Sequence, residues 1–169
     1  MKIFVSFFLL FFCSCVNKME DIDLSYSDIN SGDFGQNIEI SYYLKGDLEF
    51  QLIAPEMNQL SEVSTFPKGI DVYVYNKQLD TIATIAADYA FQDKNQNIVE
   101  ARSNVVLTNS DQEQLNTEQL FWNSETKKIY TDAFVTLNTK KQIIMGFGFE
   151  ADQYFSTYTL SNITATIYL

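Results

Sequence analysis

No histidine occurs anywhere in the 169 residues, and the two cysteines stand at positions 13 and 15. The chain beyond Cys15 therefore lacks thiol chemistry, Cys/His metal sites and histidine-based proton transfer. There are two prolines, six glycines and one tryptophan. No nucleophile elbow, phosphate-cradling glycine loop or dinucleotide fingerprint is present. Basic residues are scarce as well. Discounting Lys2, ten of the eleven remain against 22 acids, a formal charge of −12. Such a surface repels nucleic acid and anionic membranes, so neither is expected as an electrostatic partner.

The apolar residues begin with Ile3 and run to Phe12, interrupted by Ser6 and preceded by Lys2. The block is shorter than the roughly 20 residues of a membrane-spanning helix and reads as a secretory signal. Phe12-Cys13-Ser14-Cys15 resembles a bacterial lipobox, with small Ser14 before the cysteine that becomes lipidated, although Phe12 stands where Leu is usual. Cys15 is the expected lipid anchor. An ordinary cleaved signal that discards both cysteines is the alternative. Residues 1–14 are then a signal peptide, 15–36 a lipidated start and polar tether, and 37–169 one domain.

That domain is organised around residues 86–137, whose halves are copies at an offset of 30 (118 minus 88). Asp88 falls on Glu118, Phe91 on Phe121, Val105 on Val135 and Leu107 on Leu137. Weaker echoes place Glu56 ahead of them and Asp152 behind. Repetition at this period signals stacked supersecondary units, here β-hairpins. Apolar and polar residues alternate through 38–43, 48–54, 70–75, 99–107, 129–137 and 143–151, with 81–91 and 158–169 as further strands. Pro55 is expected to end its strand, leaving 56–66 as a connection. Gly146 and Gly148, inside a strand, mark a bulge, a bend or a close backbone approach. No window carries a sustained helical period, so the domain is all-β.

Glu56, Asp88, Glu118 and Asp152 recur at one place in each repeat. Paired acids serve glycoside hydrolysis, but residues repeated in every unit are commonly strand-end or turn carboxylates that accept backbone hydrogen bonds. Catalysis is not expected, and no cofactor is implied. The abundant feature is aromatic and aliphatic surface, which fills a core or lines a trough for an apolar ligand. By alternation, Phe50, Leu52, Val72, Val74, Val105, Leu107, Val135, Leu137, Met145, Phe147 and Phe149 are the expected inward, lipid-binding set.

Phe66-Pro67-Lys68-Gly69-Ile70, Ala87-Asp88-Tyr89-Ala90, Glu100-Ala101-Arg102-Ser103-Asn104-Val105-Val106, Leu115-Asn116-Thr117-Glu118-Gln119-Leu120, Lys128-Ile129-Tyr130-Thr131-Asp132 and 145–152 resemble the LptC family. This is the periplasmic component of the lipopolysaccharide-export ABC transporter, in a Bacteroidetes-type lipoprotein form. The resemblance covers about residues 38–155. It implies an open β-jellyroll, a taco-like fold with acyl chains of lipopolysaccharide between its sheets. It implies docking to the inner-membrane transporter at one edge and to a periplasmic LptA-like bridge protein at the other, with the chain held to the inner membrane by its N-terminal lipid. Ser103 departs from a frequent glycine, and the best-known members use a transmembrane helix instead of a lipid. The terminal strands are the natural edges. The last, bearing Ile163, Ala165 and Ile167 without charge or proline, is the expected bridge-protein edge. A lipocalin-like closed barrel for a small lipid is the rival reading; it would have no unpaired edge.

Overall fold

A computed structural model describes residues 32–169 of the chain. Twelve strands follow in order: β1 (Asp33–Leu44), β2 (Asp47–Leu60), β3 (Val63–Phe66), β4 (Ile70–Tyr75), β5 (Thr81–Ala87), β6 (Tyr89–Asp93), β7 (Ile98–Asn109), β8 (Gln114–Asn123), β9 (Lys128–Asn138), β10 (Gln142–Asp152), β11 (Tyr158–Leu160) and β12 (Ile163–Tyr168). All pairings are antiparallel and join neighbours in a meander, β3 with β4, β5 with β6 and β11 with β12 each acting as one interrupted run. Among the described residues, β1 pairs with β2 alone, and β11 and β12 with β10 alone. The sheet therefore has two free edges, which rules out the closed-barrel alternative.

The interruptions form a crease. The ladder of β2 to β4 stops at Ile53 and that to β3 resumes at Asn58. Gly69 divides β3 from β4, Asp88 divides β5 from β6, and consecutive left-handed Ser103 and Asn104 break β7. The register of β9 against both its neighbours then shifts, between Thr117 and Phe121 of β8 and between Phe147 and Phe149 of β10, the latter at Gly148 with φ +84. Each break frees the backbone to bend. Three of the four repeated carboxylates, Glu56, Asp88 and Glu118, sit at these breaks, and Asp152 ends β10.

The bend is large. Asn109 lies level with the start of β10 in the ladder, so in a flat sheet it would be roughly 30 Å from the far end of that strand. Yet the Asn109 side-chain amide donates to the Phe155 carbonyl, just past that end, at 3.3 Å. The sheet is folded on itself into an open jellyroll of two facing layers. One holds β4, β5, β12 and the adjoining halves of the long strands, β1 among them; the other holds β3, β6, β11 and the remaining halves.

Pro55 does not end its strand, because β2 continues to Leu60. Its missing N–H falls where β2 has no ladder to β3 or β4, and opposite Asn37, whose φ is 51. Strand β1 begins at Asp33, inside the segment expected as tether. The span 81–91 is divided at Asp88, and β8 arises where alternation named no strand. Gly146 is a site of close approach: a Cβ there would lie 2.9 Å from the Asn162 carbonyl oxygen. Between the layers Ala54, Phe66, Ala90, Val105, Leu107, Leu115, Ile129, Val135, Leu137, Phe149 and Phe155 are fully or almost fully buried.

Candidate functional site

The interior is filled at one side of the fold and open at the other. On the C-terminal side, the loop after β10 drives Phe155 between the layers in a left-handed conformation, φ 53. Phe149, Phe155 and Tyr158 pack there with ring centroids 5.3–6.0 Å apart. The Asn109 amide caps the Phe155 carbonyl, and the Tyr158 hydroxyl donates to Glu113. Val105, Leu107, Val135 and Leu137 are sealed in the same buried core as Phe149 and Phe155.

On the N-terminal side the layers stand apart and leave a cavity of about 230 Å³. Phe50, Leu52, Val72 and Val74 form one wall, and Val99, Ala101, Leu120, Trp122 and Ile129 face them. Ile40 and Tyr42 of the edge strand continue the first wall toward solvent. The volume exceeds the ~150 Å³ apolar cavity that accepts benzene and falls below the ~300 Å³ of a typical small-molecule pocket. Part of one acyl chain fits; a multi-chain lipid requires the layers to part further.

The rim is closed by side chains alone. Phe50 stacks on Tyr42 at 4.9 Å and meets Trp122 edge-on at 5.5 Å across the gap. The Tyr154 hydroxyl donates to the Glu49 carboxylate at 3.0 Å, joining residues from opposite layers. Lys127 places its ammonium 5.6 Å from the Tyr42 ring centroid and 5.5 Å from that of Trp122. Separating these groups breaks no backbone ladder.

Of the eleven residues expected to line a lipid trough, Phe50, Leu52, Val72 and Val74 therefore surround the cavity. Val105, Leu107, Val135, Leu137 and Phe149 point inward but lie in the sealed half. Met145 and Phe147 require correction. Ile144 pairs with inward Leu137, so Met145, which pairs with Thr136, faces outward. Phe147 is 48% exposed and packs on Phe134 of the outer face at 5.2 Å. The ladder to β9 shifts register at left-handed Gly148 and the alternation of β10 reverses there, so odd positions are outside before it and inside after it. The expected set omitted Tyr42, although alternation placed it on an apolar face, and alternation missed Trp122 and Lys127. The sole tryptophan was the available signal. Ile163, Ala165 and Ile167 lie on edge strand β12, exposed, and Cys15 falls outside the described residues.

The repeated acids do not converge. Glu56 pairs with Lys68 at 2.7 Å, and Asp88 accepts from the Asn104 amide at 2.5 Å. Burial works against the Asp152 charge, but hydrogen bonds from Thr157 and Ser156 and from the Thr157 and Tyr154 amides outweigh it and bring the pKa to about 2. Glu118 is exposed. Elsewhere Glu100 is buried and opposed by its burial, yet bonds from Arg102 at 2.6 Å and from Gln119 hold its carboxyl below the usual range. Each of these carboxylates that has a partner braces a crease or a turn. Among the described residues no three His, Cys, Asp or Glu side chains gather as metal ligands, and no helix is long and apolar enough to cross a membrane.

A family model described as lipopolysaccharide-assembly, LptC-related, matches residues 16–169. Among curated proteins nothing matches.

Proposed function

Because the chain belongs to the LptC-related family of lipopolysaccharide-assembly proteins, a family that acts in lipopolysaccharide transport at the periplasmic side of the inner membrane, we propose that it receives lipopolysaccharide from the inner-membrane export ABC transporter and passes it to a periplasmic LptA-like bridge protein. The observation that supports this reading is the apolar cavity between two layers whose rim is held by side chains alone. Such a mouth opens sideways without breaking the sheet, and an acyl chain needs only apolar walls. Binding and release are the whole of its work in this reading, and the energy comes from ATP hydrolysis on the transporter. Attachment to the inner membrane through lipidated Cys15 completes the proposal.

The two sheet edges serve the two partners, β1 the transporter and β12 the bridge protein. Leu169 donates to the Lys141 carbonyl at 3.0 Å. By the alternation of an antiparallel ladder, Ile167 and Ala165 also bond to β10, so Thr166 and Tyr168 direct their backbone groups outward. These outward groups suit addition of a partner strand, and β12 carries no charge or proline against it.

The test is a photo-crosslinker at Val99 or Phe50, inside the cavity, compared with one at Phe147 on the outer face. Capture of lipopolysaccharide from the first two positions and not the third is expected. Equal capture at all three would remove the cavity from the argument.

A further inference from the structure

The mouth of the cavity carries a cation that the fold does not use. Lys68, Arg102 and Lys128 each pair with a carboxylate, the last with Glu150. Lys127 forms no such pair among the described residues. Its ammonium is instead held over the Tyr42 and Trp122 rings, which themselves line the cavity, and the residue is half-buried. Its position is set by backbone: its N–H donates to the Asn123 carbonyl at 2.9 Å, and its carbonyl accepts from Gln153 at 3.1 Å. A chain with 22 acids to 11 bases has thus placed a fixed cation at the entrance of its apolar cavity. The one acid that also lines the mouth, Glu49, is on the opposite layer and engaged by the Tyr154 hydroxyl.

We propose that Lys127 is the headgroup site of this cavity, binding the phosphate or carboxylate of an amphiphile whose acyl chain lies between the layers. This rests on the acyl-chain reading above and adds its polar half. An ammonium over two aromatic faces is partly desolvated, so it gives up less hydration on meeting an anion than a fully exposed lysine does. The chain anchors by burial, and the cation fixes which end stays outside. Tyr42 and Trp122 belong to opposite layers, so an anion that draws Lys127 off the rings also loosens the rim.

Trp122, as the sole tryptophan, reports occupancy by its own fluorescence. The full-length protein is titrated with dodecyl phosphate and with dodecyl glucoside, below micelle formation, at low salt. Dodecyl phosphate is expected to bind about tenfold tighter. Lys127→Gln should erase that preference, so that the two amphiphiles bind equally, whereas Lys127→Arg should keep it. Circular dichroism confirms that the variants fold, and the glucoside titration shows that their cavity is intact. Equal affinities in the wild type, or a preference that survives Lys127→Gln, would overturn the headgroup site and leave the acyl-chain reading standing. Failure of both amphiphiles to bind would overturn the acyl-chain reading and this site with it. Inorganic phosphate alone that matches dodecyl phosphate would identify a free-anion site and refute the proposal.

Discussion

Phe50 and Leu107 both point inward, and truncating them separates a ligand-binding wall from a packed core. Leu107 is fully buried in the packed core. Leu107→Ala removes its burial and leaves a void that rigid neighbours do not fill, a loss of about 3 kcal/mol within a usual range of ~2–5. Phe50 is half-exposed to an existing cavity, stacked on Tyr42 and edge-on to Trp122. Phe50→Ala enlarges space already present, so the cavity penalty largely vanishes. What remains is partial burial and two aromatic contacts, about 1–2 kcal/mol. For a domain of this length the corresponding falls in Tm are about 10 °C and about 5 °C. Function should rank the other way. Lipopolysaccharide retained by the purified protein, measured by mass spectrometry per folded molecule, should drop several-fold for Phe50→Ala and stay near wild type for Leu107→Ala. If retention follows stability in both variants, the cavity is a packing defect and the reasoning fails.

Thr166→Pro should preserve Tm within about 1 °C yet abolish capture of the bridge protein in a pull-down, because its N–H points away from β10. Ala165→Pro removes a bond to β10 and should destabilise; identical behaviour of the two would mean that the deduced alternation of β12 is wrong. Gly69→Ala should lower stability by about 3 kcal/mol or more in urea, since φ is +87 and the new Cβ would lie 2.5 Å from the Ala87 carbonyl oxygen. Asp152, with its pKa lowered from 3.8 to about 2, contributes stability present above pH ~4 and lost as pH falls through ~2. Allowing for its solvent exposure, Asp152→Ala should cost about 1 kcal/mol at pH 7 in urea melts, and the gap should close toward pH 2.

Alternation and repetition alone determined that the domain is all-β, that its units are hairpins, and that the faces of 99–107 and 129–137 carrying Val105, Leu107, Val135 and Leu137 point inward. These are local properties: a strand places every second side chain on one face whatever it pairs with. The repeated acids were expected at strand ends or turns; Asp88 and Asp152 stand there, whereas Glu56 and Glu118 lie inside β2 and β8, where the ladders are interrupted. Only the tertiary structure decided what those breaks do. A register shift is invisible to composition, and in β10 the one at left-handed Gly148 sent Met145 and Phe147 outside while keeping Phe149 within. In β8 the same shift divided the apolar phase between Leu115 and Leu120, which hid the strand from period counting. The separation of a sealed core from an open cavity was also beyond the sequence, because it turns on Phe155. A loop phenylalanine after β10 carries no periodic signal, and it occupies the space between layers only once the crease has brought two ends of the sheet together. The meeting of Tyr42 and Phe50 with Trp122 and Lys127 at the mouth has the same cause: the first two are ladder partners and the last two share the β8–β9 hairpin, but the two pairs are far apart along the ladder and become neighbours when the sheet folds.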